Sequence, residues 1–377
     1  MLAAYTASLC LLVAPWFLEL GVSVMLEVPA FAVTLWALWP IYKWEEKRLW
    51  LWLALSAFLL ASALQIKLTA ALAVPALVME IALGSGGSRL SQRVWRISRN
   101  VACWAATAAA AYLALGLLLG NESYSLFWKE HAEAPSAAAL RYAFSPSLVW
   151  DHTEAVWSAA AGVALLIRRK QLRRLAVPLT WLLTAAVVAL EHRPWWFYYY
   201  LHLGIPLAWL SGIGVAGLLQ LAWSKASSGI WRLRFLGPLV TGSALVSLIA
   251  TEGGPRLALE VERLRDLPRV QDSRLVATMR RYAAGTHWVY TRFSIYPFHA
   301  RLLVVPELAV LPLKRYWAGL ITGEEIVATI ARRKPEQLLL PAEDPVPALR
   351  QLLISGYTLV YEDGNLRLYV ATRLVGA

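Results

Sequence analysis

Met25-Leu26-Glu27-Val28-Pro29 stands directly ahead of Ala30–Leu38, a run without a charged residue. The carboxylate therefore sits at the mouth of an apolar segment. Pro29 suits the first turn of a helix, where its missing N–H would have no partner anyway. The positive end of a helix favours a carboxylate, which by itself accounts for a surface glutamate. A carboxylate at membrane depth instead faces protein, water or a cation. That second reading places Glu27 on the lip of a membrane cavity, and this stretch alone leaves both readings open.

Composition fixes the class. The chain has 377 residues, of which 59% are hydrophobic and only 16% charged, with 19 Trp. Apolar runs near the length of a membrane span recur along it. Nine candidate spans follow: about 2–18, 27–43, 49–66, 67–83, 100–119, 149–167, 174–190, 199–222 and 235–251. The first has neither a basic leader nor a small-residue cleavage site, so it reads as a membrane helix rather than a signal peptide. The third and fourth meet at Lys67 almost without a loop. Cys10 and Cys103 each lie inside an apolar run, which indicates no disulfide framework.

The basic residues set the expected orientation. Lys43, Lys47, Arg48, the arginines of 89–99, the cluster 168–174, Lys225, Arg232 and Arg234 fall on one set of loops. Only Lys67, Lys129, Arg141 and Arg193 fall on the other. Excess positive charge marks the cytoplasmic side. The expectation is a multi-pass protein of the plasma (inner) membrane with a cytoplasmic N-terminus. Glu27, Lys67, the loops 120–148 and 191–198, and the C-terminal tail then lie outside.

The unusual ionisable residues gather on that outer side: Glu27, Lys67, His131, Glu133, Glu191, His192 and Arg193. Lys67 either snorkels to lipid headgroups or serves as a point charge for a lipid phosphate. Arg193 can add a forked contact to the same group. The stretch Trp195-Trp196-Phe197-Tyr198-Tyr199-Tyr200 reads first as an interfacial aromatic belt, with stacking on a sugar ring as the alternative. Nearby His and acidic side chains suit acceptor positioning or a divalent ion. Asn121-Glu122-Ser123 fits a glycosylation acceptor pattern and carries little weight alone.

From residue 252 the composition turns polar. Helices are expected over Glu260–Ala284 with a break at Pro268, Glu324–Arg333 and Val346–Ile354. Strands are expected over 288–291, Gln337–Leu340, Tyr357–Tyr361 and Leu366–Ala371, the last two joined about Asp363-Gly364-Asn365. The chain thus divides into a transmembrane domain, 1–251, and a small α/β extracytoplasmic domain, 252–377. The tail has seventeen basic against thirteen acidic residues, too small an excess to point to nucleic acid.

Met25-Leu26-Glu27-Val28-Pro29, a basic turn, then Ala61-Ser62-Ala63-Leu64-Gln65-Ile66-Lys67-Leu68-Thr69 resembles the GT-C fold glycosyltransferases, in particular the protein O-mannosyltransferase and aminoarabinose transferase group. His192-Arg193-Pro194 followed by Tyr198-Tyr199-Tyr200 and Ile205-Pro206 is similar too. The resemblance covers roughly residues 1–250. It implies transfer of a sugar from a polyprenyl-phosphate donor to a lipid, glycan or protein acceptor on the outer face. It implies that Glu27 is catalytic, organising the site or holding its metal, and that Lys67, with Arg193, binds the donor phosphate. His131, His192 and Tyr199 are the acceptor- or sugar-binding candidates. The family's principal acidic loop, which follows an initial membrane helix, has no counterpart ahead of Glu27. Glu19 is a weak substitute, and the expectation is a truncated copy with little transfer of its own. Two alternatives remain: a non-catalytic membrane subunit that presents the external domain, and a lipid-linked-sugar transporter. The latter calls for midplane charges and repeated halves, which the sequence does not display.

Overall fold

The computed structural model describes residues 1–22, 26–86, 89–119, 143–193, 195–226, 236–265, 270–309, 321–342 and 349–376. They form two compact units, one ending at Leu264 and the other beginning at Arg265. Among the described residues 77% are helical.

The first unit is all helix. In order come α1 (Leu2–Leu12), α2 (Phe17–Val22), α3 (Glu27–Trp36), α4 (Leu38–Lys47), α5 (Trp50–Ile66), α6 (Val74–Gly84), α7 (Leu90–Leu118), α8 (Thr153–Arg168), α9 (Leu172–Glu191), α10 (Leu201–Ala226), α11 (Leu236–Leu248) and α12 (Gly254–Arg265). Three segments among the described residues are both long and apolar enough to cross a membrane: Leu90–Leu118, Leu172–Glu191 and Phe197–Trp223. Leu2–Leu12, Trp50–Ile66 and Leu68–Gly84 are shorter apolar helices. Each expected span coincides with helix, but a count of nine crossings does not follow from these lengths. The first span shows why. Its helix stops at Leu12, and Trp16 takes a left-handed φ of 60° before α2 begins.

The core positions the site through close backbone approach. α10 carries Gly212, Gly214 and Gly217. A Cβ on Gly214 would stand 2.7 Å from the backbone nitrogen of Gly162 in α8, and one on Gly212 would stand 2.7 Å from the Ala7 nitrogen in α1. Small residues let helices pack at this range where no hydrophobic difference between lipid and protein drives them together. α10 is thereby clamped between α1 and α8, and its first turn is fixed against their ends.

The second unit is a four-stranded sheet with flanking helices. β1 (Val289–Thr291) pairs parallel with β2 (Gln337–Pro341), which pairs antiparallel with β4 (Leu366–Ala371), itself antiparallel to β3 (Tyr357–Glu362). The Asp363 carboxylate accepts the Asn365 and Leu366 N–H groups in the β3–β4 turn. The helix Gly323–Arg333 starts at a capping box, with Thr322 Oγ1 accepting from Glu325 N–H and the Glu325 carboxylate from Thr322 N–H. Gln337 lies wholly inside and donates to the Met279 carbonyl and Thr286 Oγ1. The amphipathic helix α12 belongs with the helical unit.

Candidate functional site

Glu27 opens α3, with Pro29 in its first turn, as the sequence suggests. Its side chain is fully buried. Lys67 ends α5 in an extended conformation, φ −157° and ψ 127°, before a short 3-10 turn (Leu68–Ala73) leads into α6. Its N–H donates to the Ala63 carbonyl at 2.8 Å, and its own carbonyl accepts from Ala70 N–H at 3.1 Å. The corner is thus tied on both sides, and the side chain projects from it. The Lys67 ammonium donates to Glu27 Oε1. Glu27 Oε2 has no hydrogen-bond partner among the described residues.

Aromatic side chains from the 3-10 turn Phe197–Tyr200 wall this pair. The Lys67 ammonium lies 4.5 Å from the Tyr198 ring centroid, a cation–π contact. Tyr199 meets Tyr198 and Trp195 edge-to-face at 4.8 and 5.4 Å, and the His192 ring at a tilt at 5.9 Å. Trp195 packs inside with Ala189 and Tyr199 rather than standing as a belt in the membrane interface. Arg193 is exposed and has no hydrogen bond or ion pair with Lys67 or Glu27. Met25, His131 and Glu133 lie outside the described residues.

His202, one helical turn after Tyr198, went unnoticed in the sequence. It is buried, its ring meets Phe31 edge-on at 4.4 Å, and neither ring nitrogen is hydrogen-bonded among the described residues. Its signal was simply a histidine inside an apolar helix, which marks a site by default.

A second buried polar group stands at the same end, joined through Tyr200 of the same turn. His152 Nδ1 and the Tyr200 hydroxyl lie 2.6 Å apart. His152 Nε2 is 3.5 Å from Glu154 Oε1, which accepts from Arg256 Nη1 at 2.7 Å. Arg256 also donates to the carbonyls of Val13 and Asp151. One turn on, Glu260 Oε1 accepts the Trp16 N–H at 2.8 Å. Helix α12 is therefore fastened over the ends of α1 and α8. The Trp16 ring lies edge-on to both Phe197 and Tyr200, at 5.8 Å from each.

The pair and its wall bring together a lysine on a fixed backbone, a buried carboxylate that already holds it, and aromatic faces alongside. Among the described residues no three His, Cys, Asp or Glu stand together as ligands, and the ammonium holds one oxygen of Glu27. The described donors do not fit the divalent ion expected at Glu27.

Residues 2–108 match the family model described as dolichyl-phosphate-mannose-protein mannosyltransferase. The match begins in α1, ends inside α7 and takes in both Glu27 and Lys67. No curated protein and no solved structure matches the chain. Over that stretch the chain is similar to the GT-C type mannosyltransferases, and its apolar helices are in keeping with a membrane protein.

Proposed function

We propose that the protein serves transfer of a sugar from a polyprenyl-phosphate donor to an acceptor at the outer membrane face. The observation that carries this reading is the contact between the Lys67 ammonium and the buried Glu27 carboxylate, at the edge of an aromatic wall. A lysine that retains 24% of its side-chain exposure can exchange a carboxylate for a phosphate. In the transfer, the acceptor oxygen attacks the anomeric carbon and the bond from that carbon to the phosphate oxygen breaks. Its electron pair goes to the phosphate. Lys67 neutralises the charge that develops there. Once relieved of Lys67, Glu27 is free to take the acceptor proton or to orient the group that does. Arg193 offers a second phosphate contact from the adjoining loop. His192, Tyr199 and His131 are assigned to the sugar and the acceptor.

The test is transfer of labelled sugar from a lipid donor in membranes that contain the protein. Lys67→Ala should lower kcat/KM by about 100-fold, the scale for loss of one charge-stabilising group. Glu27→Gln should lower kcat more than it raises KM. Unchanged transfer by both variants removes the assignment.

A further inference from the structure

The turn Phe197–Tyr200 carries three consecutive tyrosines, and its 3-10 winding sends them three ways. With three residues to a turn, neighbouring side chains stand about 120° apart. Tyr198 faces the Lys67 ammonium, Tyr199 meets Trp195, and Tyr200 meets His152. Holding one ring therefore fixes where the others point.

Tyr200 has the most extended of the three holds. Its ring is fully buried beside Trp16, and its hydroxyl bonds His152 Nδ1. His152 is wholly buried too and stands just ahead of α8. The far side of the imidazole decides which partner donates. Nε2 looks onto Glu154 Oε1 at 3.5 Å, within ion-pair range though not a hydrogen bond. A negative charge there favours the tautomer with its proton on Nε2. Nδ1 is then the acceptor and the Tyr200 hydroxyl the donor. Arg256 of α12 closes the series on Glu154. Hydroxyl, imidazole, carboxylate and guanidinium thus run in one directed series from the turn to α12.

A clamp on helix ends explains Arg256, which also ties α12 to the carbonyls of Val13 and Asp151. It does not explain why buried polar groups continue inward to a tyrosine. Replacing a buried polar set by apolar side chains of similar volume is often neutral or stabilising. What the series adds over apolar packing is direction: the hydrogen bond sets where Tyr200 points, and with it the turn. We propose that Tyr200 is a positioning residue for the donor phosphate, acting through the Tyr198 face on Lys67. His152, Glu154 and Arg256 support it, so that α12 takes part in the donor site without touching it. The proposal rests on the reading of Lys67 as the phosphate contact and deepens it.

The experiment titrates the purified full chain in detergent with a polyprenyl monophosphate, and with the matching polyprenol as the uncharged control. Lys67→Ala should remove the preference for the phosphate. Tyr200→Phe deletes one hydroxyl and should weaken phosphate binding about fivefold, with polyprenol retained as by the parent. His152→Leu should reproduce that loss, and His152→Asn, whose amide oxygen can stand in for Nδ1, should recover most of it. In a Tyr198→Leu background Tyr200→Phe should add nothing, since both changes act on one path. Thermal unfolding, by contrast, should fall for Tyr200→Phe in both backgrounds. Phosphate binding by Tyr200→Phe at the parent level overturns the inference. So does a loss that persists in the Tyr198→Leu background, the mark of a structural staple alone. Should Lys67→Ala itself leave phosphate binding unchanged, the sugar-transfer reading of the corner falls, and this inference with it.

Discussion

The Lys67 ammonium and the Tyr198 ring are held face to face at 4.5 Å, while the same ammonium bonds the buried Glu27. A cation over an aromatic face gains roughly 0.5–2 kcal/mol depending on desolvation. Tyr198→Phe keeps the face and should leave donor affinity nearly unchanged. Tyr198→Leu removes it and should weaken donor binding by about fivefold, on the scale of 1 kcal/mol. Titration with a lipid-phosphate donor checks both.

Gly162 and Gly214 fail differently from Gly217. A Cβ at either of the first two meets backbone atoms of the opposite helix, whereas at Gly217 it meets the end of the Leu165 side chain. Backbone cannot step aside. Gly214→Val should therefore cost at least about 3 kcal/mol, the upper end for overpacking, and Gly217→Ala markedly less. Thermal unfolding in detergent separates them.

Arg256→Met leaves Glu154 buried without its cationic partner. Loss of one partner of a buried pair costs about 3–5 kcal/mol, and the 22% exposure of Arg256 places this case near the lower end. Adding Glu154→Gln should restore much of the stability. The comparison of melting temperatures for the single and double variants is decisive. No recovery in the double variant means that the pair is not what stabilises this end.

In the second unit, Thr322→Ala deletes a capping-box oxygen and should cost about 1 kcal/mol. Hydrogen exchange should speed up in the first turn of 323–333 and leave the β3–β4 hairpin unchanged.

The same hairpin has a pH signature. The N–H groups of Asn365 and Leu366 hold the Asp363 carboxyl below its ordinary range. Its folded value lies below the unfolded one of about 3.9. The contribution is complete above that value and is lost as pH falls through the folded one. Hairpin protection should be flat from neutral pH to about 5 and drop in stronger acid. Asp363→Asn should remove the drop.

Local signals were readable where the cause is local. Asp363-Gly364-Asn365 between two alternating stretches gave the hairpin, and Glu27 before Pro29 gave the start of α3. The Glu27–Lys67 meeting spans 40 residues, yet it follows from sidedness, because both stand at helix ends on one face. The His152–Tyr200 and Glu154–Arg256 contacts span 48 and 102 residues. Nothing in the neighbourhood of any of these residues announces its partner, so this group was not foreseen. Trp195 misled for a related reason. An aromatic near a membrane face looks the same in sequence whether it points to lipid or packs against Ala189. Pro268, where a break in helix was expected, lies outside the described residues, which resume with a 3-10 turn at Val270–Asp272 and a helix at Arg274–Arg281.

Lys67 is pinned at both its amide and its carbonyl, yet its charge rides on four rotatable methylenes. Such a lever can swing its tip between two anionic partners while the hinge stays still. Release of Glu27 then requires no motion of α5 or α6, and any such exchange would run at the pace of side-chain rotation rather than of helix movement.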